Sequence, residues 1–108
     1  VRVQITTRRC EVPADVLARA ESQAASLSKY SPRATAVDVV FFEEKVEKLA
    51  EIIVHIDGAD PVVARGQGKE FRVALDQVLD RTARILRKRR ERRTEHQAPP
   101  LWERVGNE

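Results

Sequence analysis

The residues best suited to chemistry form one dense run: Arg81, Arg84, Arg87, Lys88, Arg89, Arg90, Arg92 and Arg93, interrupted by a single acid, Glu91. Closely spaced cations bind polyanions by releasing condensed counterions. The run is mostly arginine, whose planar fork suits bidentate phosphate contact and stacking. The formal net charge of +3 conceals it. Residues 1–64 carry 8 Lys/Arg against 10 Asp/Glu, whereas residues 65–108 carry 12 against 7. The chain is acidic in front and basic behind, an asymmetry that points to nucleic acid. Aromatic residues make up only 5% of the chain. A base-stacking platform is therefore disfavoured, and a structured RNA read through phosphates and shape fits better.

Other constellations are weaker. Catalysis requires a nucleophile with its base, paired carboxylates or a metal cluster. Cys10 and His55 fall on different elements, and a lone cysteine near a strand end is more often a packing residue. One Cys with the distant His55 and His96 makes no zinc site. Glu43, Glu44, Glu47 and Glu51 lack the interleaved pattern of a calcium loop and read as a solvated hairpin tip. Gly66-Gln67-Gly68-Lys69 lies between a strand and a helix, but the spacing misses the Walker pattern and Glu70 follows the lysine. It reads as a tight turn, with Lys69 placed to meet a backbone phosphate beside a helix N-terminus. No cofactor, metal or small-molecule substrate is expected.

The elements that position the cations follow from periodicity. Val1, Val3 and Ile5 alternate with polar residues, as in a strand with one buried face. Pro13 suits a first helical position, and Val16, Leu17, Ala20, Ala24 and Leu27 recur at helical spacing. That helix ends by Ser31, before Pro32. Residues 35–42 form a second strand, with Val37, Val39 and Phe41 on one face. A charged turn over 43–48 leads to a third strand, with Ala50, Ile52, Val54 and Ile56 inward. The turn Asp57-Gly58-Ala59-Asp60-Pro61 precedes a short last strand over 62–66. Phe71, Leu75, Val78, Leu79, Thr82, Ile85, Leu86 and Arg89 make the inner stripe of a long helix. No breaker occurs before Pro99, so this helix should run past the core as a basic extension.

The order is β-α-β-β-β-α, an α+β fold. The first two strands should pair in parallel through a right-handed crossover. Three consecutive strands form an antiparallel meander. Two helices then share one face of a four-stranded sheet. The other face is open and carries Arg2, Val40, Phe42, Ile53, His55, Val63 and Arg65.

At 108 residues the chain is one domain on size. Its boundaries read as a domain over 1–96 and a tail over 97–108 that starts at Ala98-Pro99-Pro100. The single Cys excludes an internal disulfide and fits a reducing cytoplasm. No apolar run approaches a membrane span, and no signal-peptide pattern is present. Val1 is a non-standard start, a processing product or the edge of an excised piece.

Val3-Gln4-Ile5-Thr6-Thr7-Arg8, the helix between Glu11 and Tyr30, the meander, and Glu70-Phe71-Arg72-Val73-Ala74-Leu75-Asp76 before a basic helix together resemble the hibernation-promoting factor family, also called ribosome-associated inhibitors or protein Y. The resemblance spans about residues 2–96 and rests on element order, spacing and scattered positions. It implies the same β-α-β-β-β-α fold, similar to double-stranded-RNA-binding domains. It implies binding to the small ribosomal subunit, in the channel of messenger and transfer RNA, and inhibition of translation in stress or stationary phase. Arg81, Arg84, Lys88 and Lys29 match basic positions of the family. Arg72 stands where the family usually has Tyr, and Gln23 and Ser26 where basic residues are common. The chain looks like the short form, or an excised first domain.

The expected RNA-binding set is therefore Arg81, Arg84, Arg87, Lys88 and Arg72, helped by Lys29, Arg33, Lys69, Arg89, Arg90, Arg92 and Arg93. Trp102, the only tryptophan, either folds back or anchors the tail on a partner such as ribosomal RNA or protein. A stand-alone regulator that prefers duplex RNA shares the same fold and charge. A small enzyme working around His55 on the open sheet face is a third reading.

Overall fold

In a computed structural model the elements run β1 (Arg2–Thr7), α1 (Ala14–Ser26), a 3₁₀ turn (Leu27–Tyr30), β2 (Ala34–Glu44), β3 (Glu47–Ile56), β4 (Val62–Gly68) and α2 (Phe71–Gln97). The structure describes the backbone of residues 1–97 and the side chains of residues 1–90. The expected α+β order is present. The sheet order is β1-β2-β3-β4, with β1 parallel to β2 and the other pairs antiparallel.

Register explains the core. Val3, Val37, Val54 and Val62 stand in one cross-strand row, and Ile5, Val39, Ile52 and Ala64 in the next. Residues directly opposite one another share a face, so each row presents an apolar strip to the helices. α1 covers β1 and β2, and α2 covers β3 and β4. Val16, Ala20, Ala24 and Leu27 are buried from the first side, and Phe71, Ala74, Leu75, Val78 and Leu86 from the second. Phe71 meets Phe41 edge-on, with ring centroids 5.6 Å apart. Burying each large apolar side chain contributes about 1.5–3 kcal/mol. Thr82 is fully buried and donates its hydroxyl to the Val78 carbonyl at 2.7 Å.

Several details depart from the periodic reading. Pro13 is the N-cap of α1 rather than its first helical residue; the Pro13 carbonyl accepts from the Val16 and Leu17 N–H groups. The 43–48 stretch is mostly strand. Phe42 pairs with Leu49 and Glu44 with Glu47, leaving Lys45 and Val46 as the tip. Lys45 takes a positive φ of 55°, as a two-residue hairpin demands.

The Gly66-Gln67-Gly68 segment is not a turn. β4 runs on through it, pairing Gly66 with Ala50 and Gly68 with Lys48. Strand pairing decides this, because β3 reaches down to Glu47 and offers partners that local sequence does not reveal. The glycines serve packing. A Cβ on Gly66 would collide with the Ala74 carbonyl oxygen and lie 2.8 Å from the Val78 nitrogen. One on Gly68 would lie 2.7 Å from Val73. Their bare backbone lets α2 sit directly on β4.

Arg89 has the helical phase of the inner stripe, yet it is exposed because the sheet ends beneath Leu86. Its guanidinium donates instead to the Asp60 carbonyl at 2.8 Å, tying α2 to the β3–β4 loop. The open face is partly closed. Val40, Leu49 and Ala36 are buried there. Val40, Glu51 and Arg65 share a cross-strand row. Arg65 donates to Glu51 at 2.8 Å and lies over the Phe42 ring at 5.4 Å, so its long stem covers apolar surface.

Candidate nucleic-acid interface

α2 is electrostatically divided. Its first ten residues, 71–80, hold Arg72 against Asp76 and Asp80; residues 81–90 hold six cations and no acid. Cations toward the C-terminal end also suit the helix dipole. Asp76 accepts from Arg19 of α1 at 2.8 Å, so the acids of the front half meet a cation of α1. Asp80 pairs with Arg84 at 3.0 Å, one turn apart. Both pairs are exposed, and exposed pairs contribute little stability. Arg84 therefore retains donors for an incoming phosphate.

Two flanks of α2 present the basic half. On the β4 side, Arg65, Arg81, Arg84 and Lys88 line a groove of about 430 Å³ whose floor includes Val63 and Ile85. Arg65 was expected on the open sheet face; as an edge-strand residue it also borders this groove. No helical periodicity includes it, because the β4–α2 juxtaposition is tertiary. On the α1 side, Arg87 lies 5.7 Å from the Tyr30 ring centroid, and Lys29 lies 5.1 Å from the same ring. Tyr30 was read from the sequence only as the end of the first helical segment, not as a site residue. Its only signal was being the sole tyrosine, two residues before Pro32.

The end of the domain joins the flanks. Arg33 and Asp57 are bridged by a backbone hydrogen bond of 2.9 Å, which brings the β2 entry against the β3–β4 loop that Arg89 also grips. Lys29, Arg33, Arg87, Arg89 and Arg90 thus surround the 3₁₀ turn and that loop. Arg72 and Lys69 stand apart. Sixteen residues separate Arg72 from Lys88, about 24 Å along a helix, with Asp76 and Asp80 between them. Arg92 and Arg93 belong to the final turns of α2, but their side chains lie outside the described residues. Trp102 also lies outside them.

The competing chemistries are placed as well. The Cys10 thiol faces the Phe41 carbonyl at 3.5 Å, whereas His55 stands opposite Ala36. Five residues of β2 separate these points, about 16 Å. His55 engages Asp38 at 2.9 Å on the open face. Glu43 and Glu51 are held by Lys48 and Arg65. Among the described residues, no group of three or more His, Cys, Asp or Glu side chains is arranged to hold a metal.

The family described as Sigma 54 modulation protein / S30EA ribosomal protein matches residues 3–94. The chain belongs to this family. A ribosome hibernation promoting factor from Azotobacter vinelandii is 28% identical over 97 residues, covering 90% of each chain. One from Escherichia coli (strain K12) is 26% identical over 96 residues, covering 89% of this chain and 100% of its own. Hibernation promoting factors of the family are non-enzymatic ribosome-binding proteins. The fold agrees with a ribosomal subunit interface protein from Coxiella burnetii, at a TM-score of 0.76 and 13% identity over 84% of this chain and 99% of that one. It agrees also with the N-terminal domain of Thermus thermophilus Protein Y, at a TM-score of 0.70 and 20% identity over 82% and 98%. No helix among the described residues is long and apolar enough to cross a membrane.

Proposed function

We propose that this chain is a cytoplasmic ribosome hibernation factor. It binds the small subunit in the decoding channel through rRNA phosphates and blocks messenger and transfer RNA sterically, lowering translation in stress or stationary phase. The observation that carries this reading is the one-signed half of α2, six cations in ten residues on a rod packed against the sheet. Family membership supplies the ribosome as partner, and the helix supplies the chemistry.

Arg81, Arg84, Arg87 and Lys88 take the central phosphates, with Arg65 and Lys29 on the two flanks. Arg33, Arg89, Arg90, Arg92 and Arg93 extend the contact toward the helix end. Arg72 and Lys69 form a separate, weaker contact near the start of α2. The domain over 1–96 carries binding, and the tail over 97–108 reaches ribosomal RNA or protein through Trp102. No cofactor takes part, because occlusion requires only tight occupancy of the channel.

Co-sedimentation with separated ribosomal subunits across a salt series tests this. Saturable binding near one copy per small subunit is expected. Arg84→Glu combined with Lys88→Glu should abolish it at physiological salt while leaving the folded domain intact. Unchanged binding by that double variant would overturn the site. Equal, unsaturable binding to both subunits and to bulk RNA would favour a stand-alone RNA-binding regulator instead.

A further inference from the structure

We propose that the free edge of β1 takes a fifth strand from a partner protein, an extended segment with an acidic residue at each end. The Arg8 N–H donates to the Phe41 carbonyl at 2.8 Å, so Arg8 turns its backbone toward β2. Along a strand the backbone groups point to alternate sides. Arg2, Gln4 and Thr6 therefore bond β2 as well, and Val3, Ile5 and Thr7 turn their N–H and C=O groups outward. At the other end of the sheet, α2 side chains take up the Arg65 carbonyl and the Gln67 N–H of β4. Among the described residues, no protein group takes up the outward groups of β1.

Packing at this edge is incomplete too. Val3 and Ile5 are only half-buried, whereas Val37 and Val39 beside them are fully buried. A fifth strand would set its own side chains beside Val3 and Ile5 and prolong both apolar rows. Charge then names the partner. Residues 1–10 hold Arg2, Arg8 and Arg9 and no acid. All three arginines are exposed, and none has an ion pair among the described residues. Arg2 and Arg8 share the phase of the open face, six residues and about 20 Å apart. A matching strand carries an acid opposite each of them and apolar residues opposite Val3 and Ile5.

A second copy and an RNA fit this edge less well. Antiparallel self-pairing centred on Ile5 uses all three outward residues, but it sets Arg2 opposite Arg8 of the second copy at both ends. Like charges directly opposite one another are destabilising. Phosphates accept hydrogen bonds and leave the outward carbonyls of β1 unmatched, whereas a peptide strand brings a donor and an acceptor at every residue. Recognition by strand addition draws affinity from main-chain bonds and specificity from alternate side chains. The edge lies three strands from β4, about 14 Å across the sheet, so it stays open when the β4–α2 groove is occupied.

The test is fluorescence anisotropy of the whole chain with a labelled heptapeptide, glutamate at both ends, valine at the second, fourth and sixth positions and threonine between them. Saturable binding is expected. N-methylation of the fourth residue removes the N–H that faces Ile5 and should weaken binding by about tenfold, the scale of one hydrogen bond. N-methylation of the third residue, whose N–H faces away, should leave it unchanged. Arg2→Glu combined with Arg8→Glu should reject this peptide and accept one with lysine ends, at an unchanged melting temperature and with ribosomal-subunit binding retained. Absence of peptide binding, equal effects of the two N-methylations, or equal affinity for glutamate and lysine ends would overturn strand addition. A dimer in sedimentation that excludes the peptide would make a second copy the occupant and overturn a partner protein. Loss of subunit binding in the charge-swapped variant would return Arg2 and Arg8 to the RNA interface and overturn the proposal as well.

Discussion

The Arg81 guanidinium donates to the Arg65 carbonyl at 2.6 Å, joining the basic helix to the edge strand β4. One turn earlier on α2, the Gln77 side-chain oxygen accepts the Gln67 N–H at 2.9 Å. Two backbone groups of an edge strand are therefore taken up by helix side chains, which guards β4 against pairing with another chain. Arg81 consequently has two roles, as cover for the edge and as a cation of the groove.

Arg81→Met is expected to lower stability by about 1 kcal/mol, the scale of one hydrogen bond. For a domain of this size that corresponds to a fall of about 4–8 °C in melting temperature. Arg84→Met should change it little, since its pair with Asp80 is solvent-exposed. Thermal unfolding of the two variants isolates the structural role that Arg81 has beside its place in the groove; equal melting temperatures would contradict the edge role.

Gly66→Ala should destabilise far more than an exposed glycine substitution. The new methyl would meet helix backbone rather than a flexible side chain, and backbone cannot rotate away. Overpacking of this kind costs about 1–3 kcal/mol or more. Urea denaturation should show a lower midpoint, with α2 displaced from β4 and RNA binding weakened as a consequence.

Lys88→Ala should weaken RNA binding uniformly across sequences. Loss of one phosphate contact reduces the slope of log affinity against log salt by about 0.7–0.9. Asp80→Asn should leave that slope nearly unchanged, because it removes no cation that meets a phosphate. Affinities measured at four or five salt concentrations decide the point.

Cys10 should be a sluggish thiol. Burial raises its pKa above the ordinary thiol value, opposed by the Arg8 backbone hydrogen bond and aided by Glu43. The fold thus favours the neutral form. Its contribution to stability is complete below the unfolded-state pKa and is lost as pH rises through the higher folded-state value. The pH midpoint of iodoacetamide alkylation should lie higher in the folded chain than in denaturant. A lower midpoint in the folded chain would mean an activated thiol and reopen a chemical role for Cys10.

Much of this protein was legible one residue at a time. Alternation at Val37, Val39 and Phe41, and again at Ile52 and Val54, determined two strands and their buried face, because side chains of a strand point to opposite sides in turn. The helical spacing from Phe71 to Leu86 determined α2, and the arginines between those apolar positions had to face solvent or a partner. The charge division of α2 is likewise a property of the chain. Tertiary structure alone decided which cations meet. Arg65 joined Arg81 and Lys88 because β4 lies beside α2, and Arg72 was left about 24 Å away by the helix rise. Gly66 and Gly68 became a packing surface rather than a turn because β3 extends far enough to pair with them. Arg89 kept its inward phase but found a loop carbonyl where the sheet had ended. Tyr30 acquired two cationic neighbours and a cavity wall only when the 3₁₀ turn docked against α2. Periodicity describes one element at a time, whereas a groove, a cover or a cavity is made by atoms distant in sequence, and only the packed chain brings them within reach.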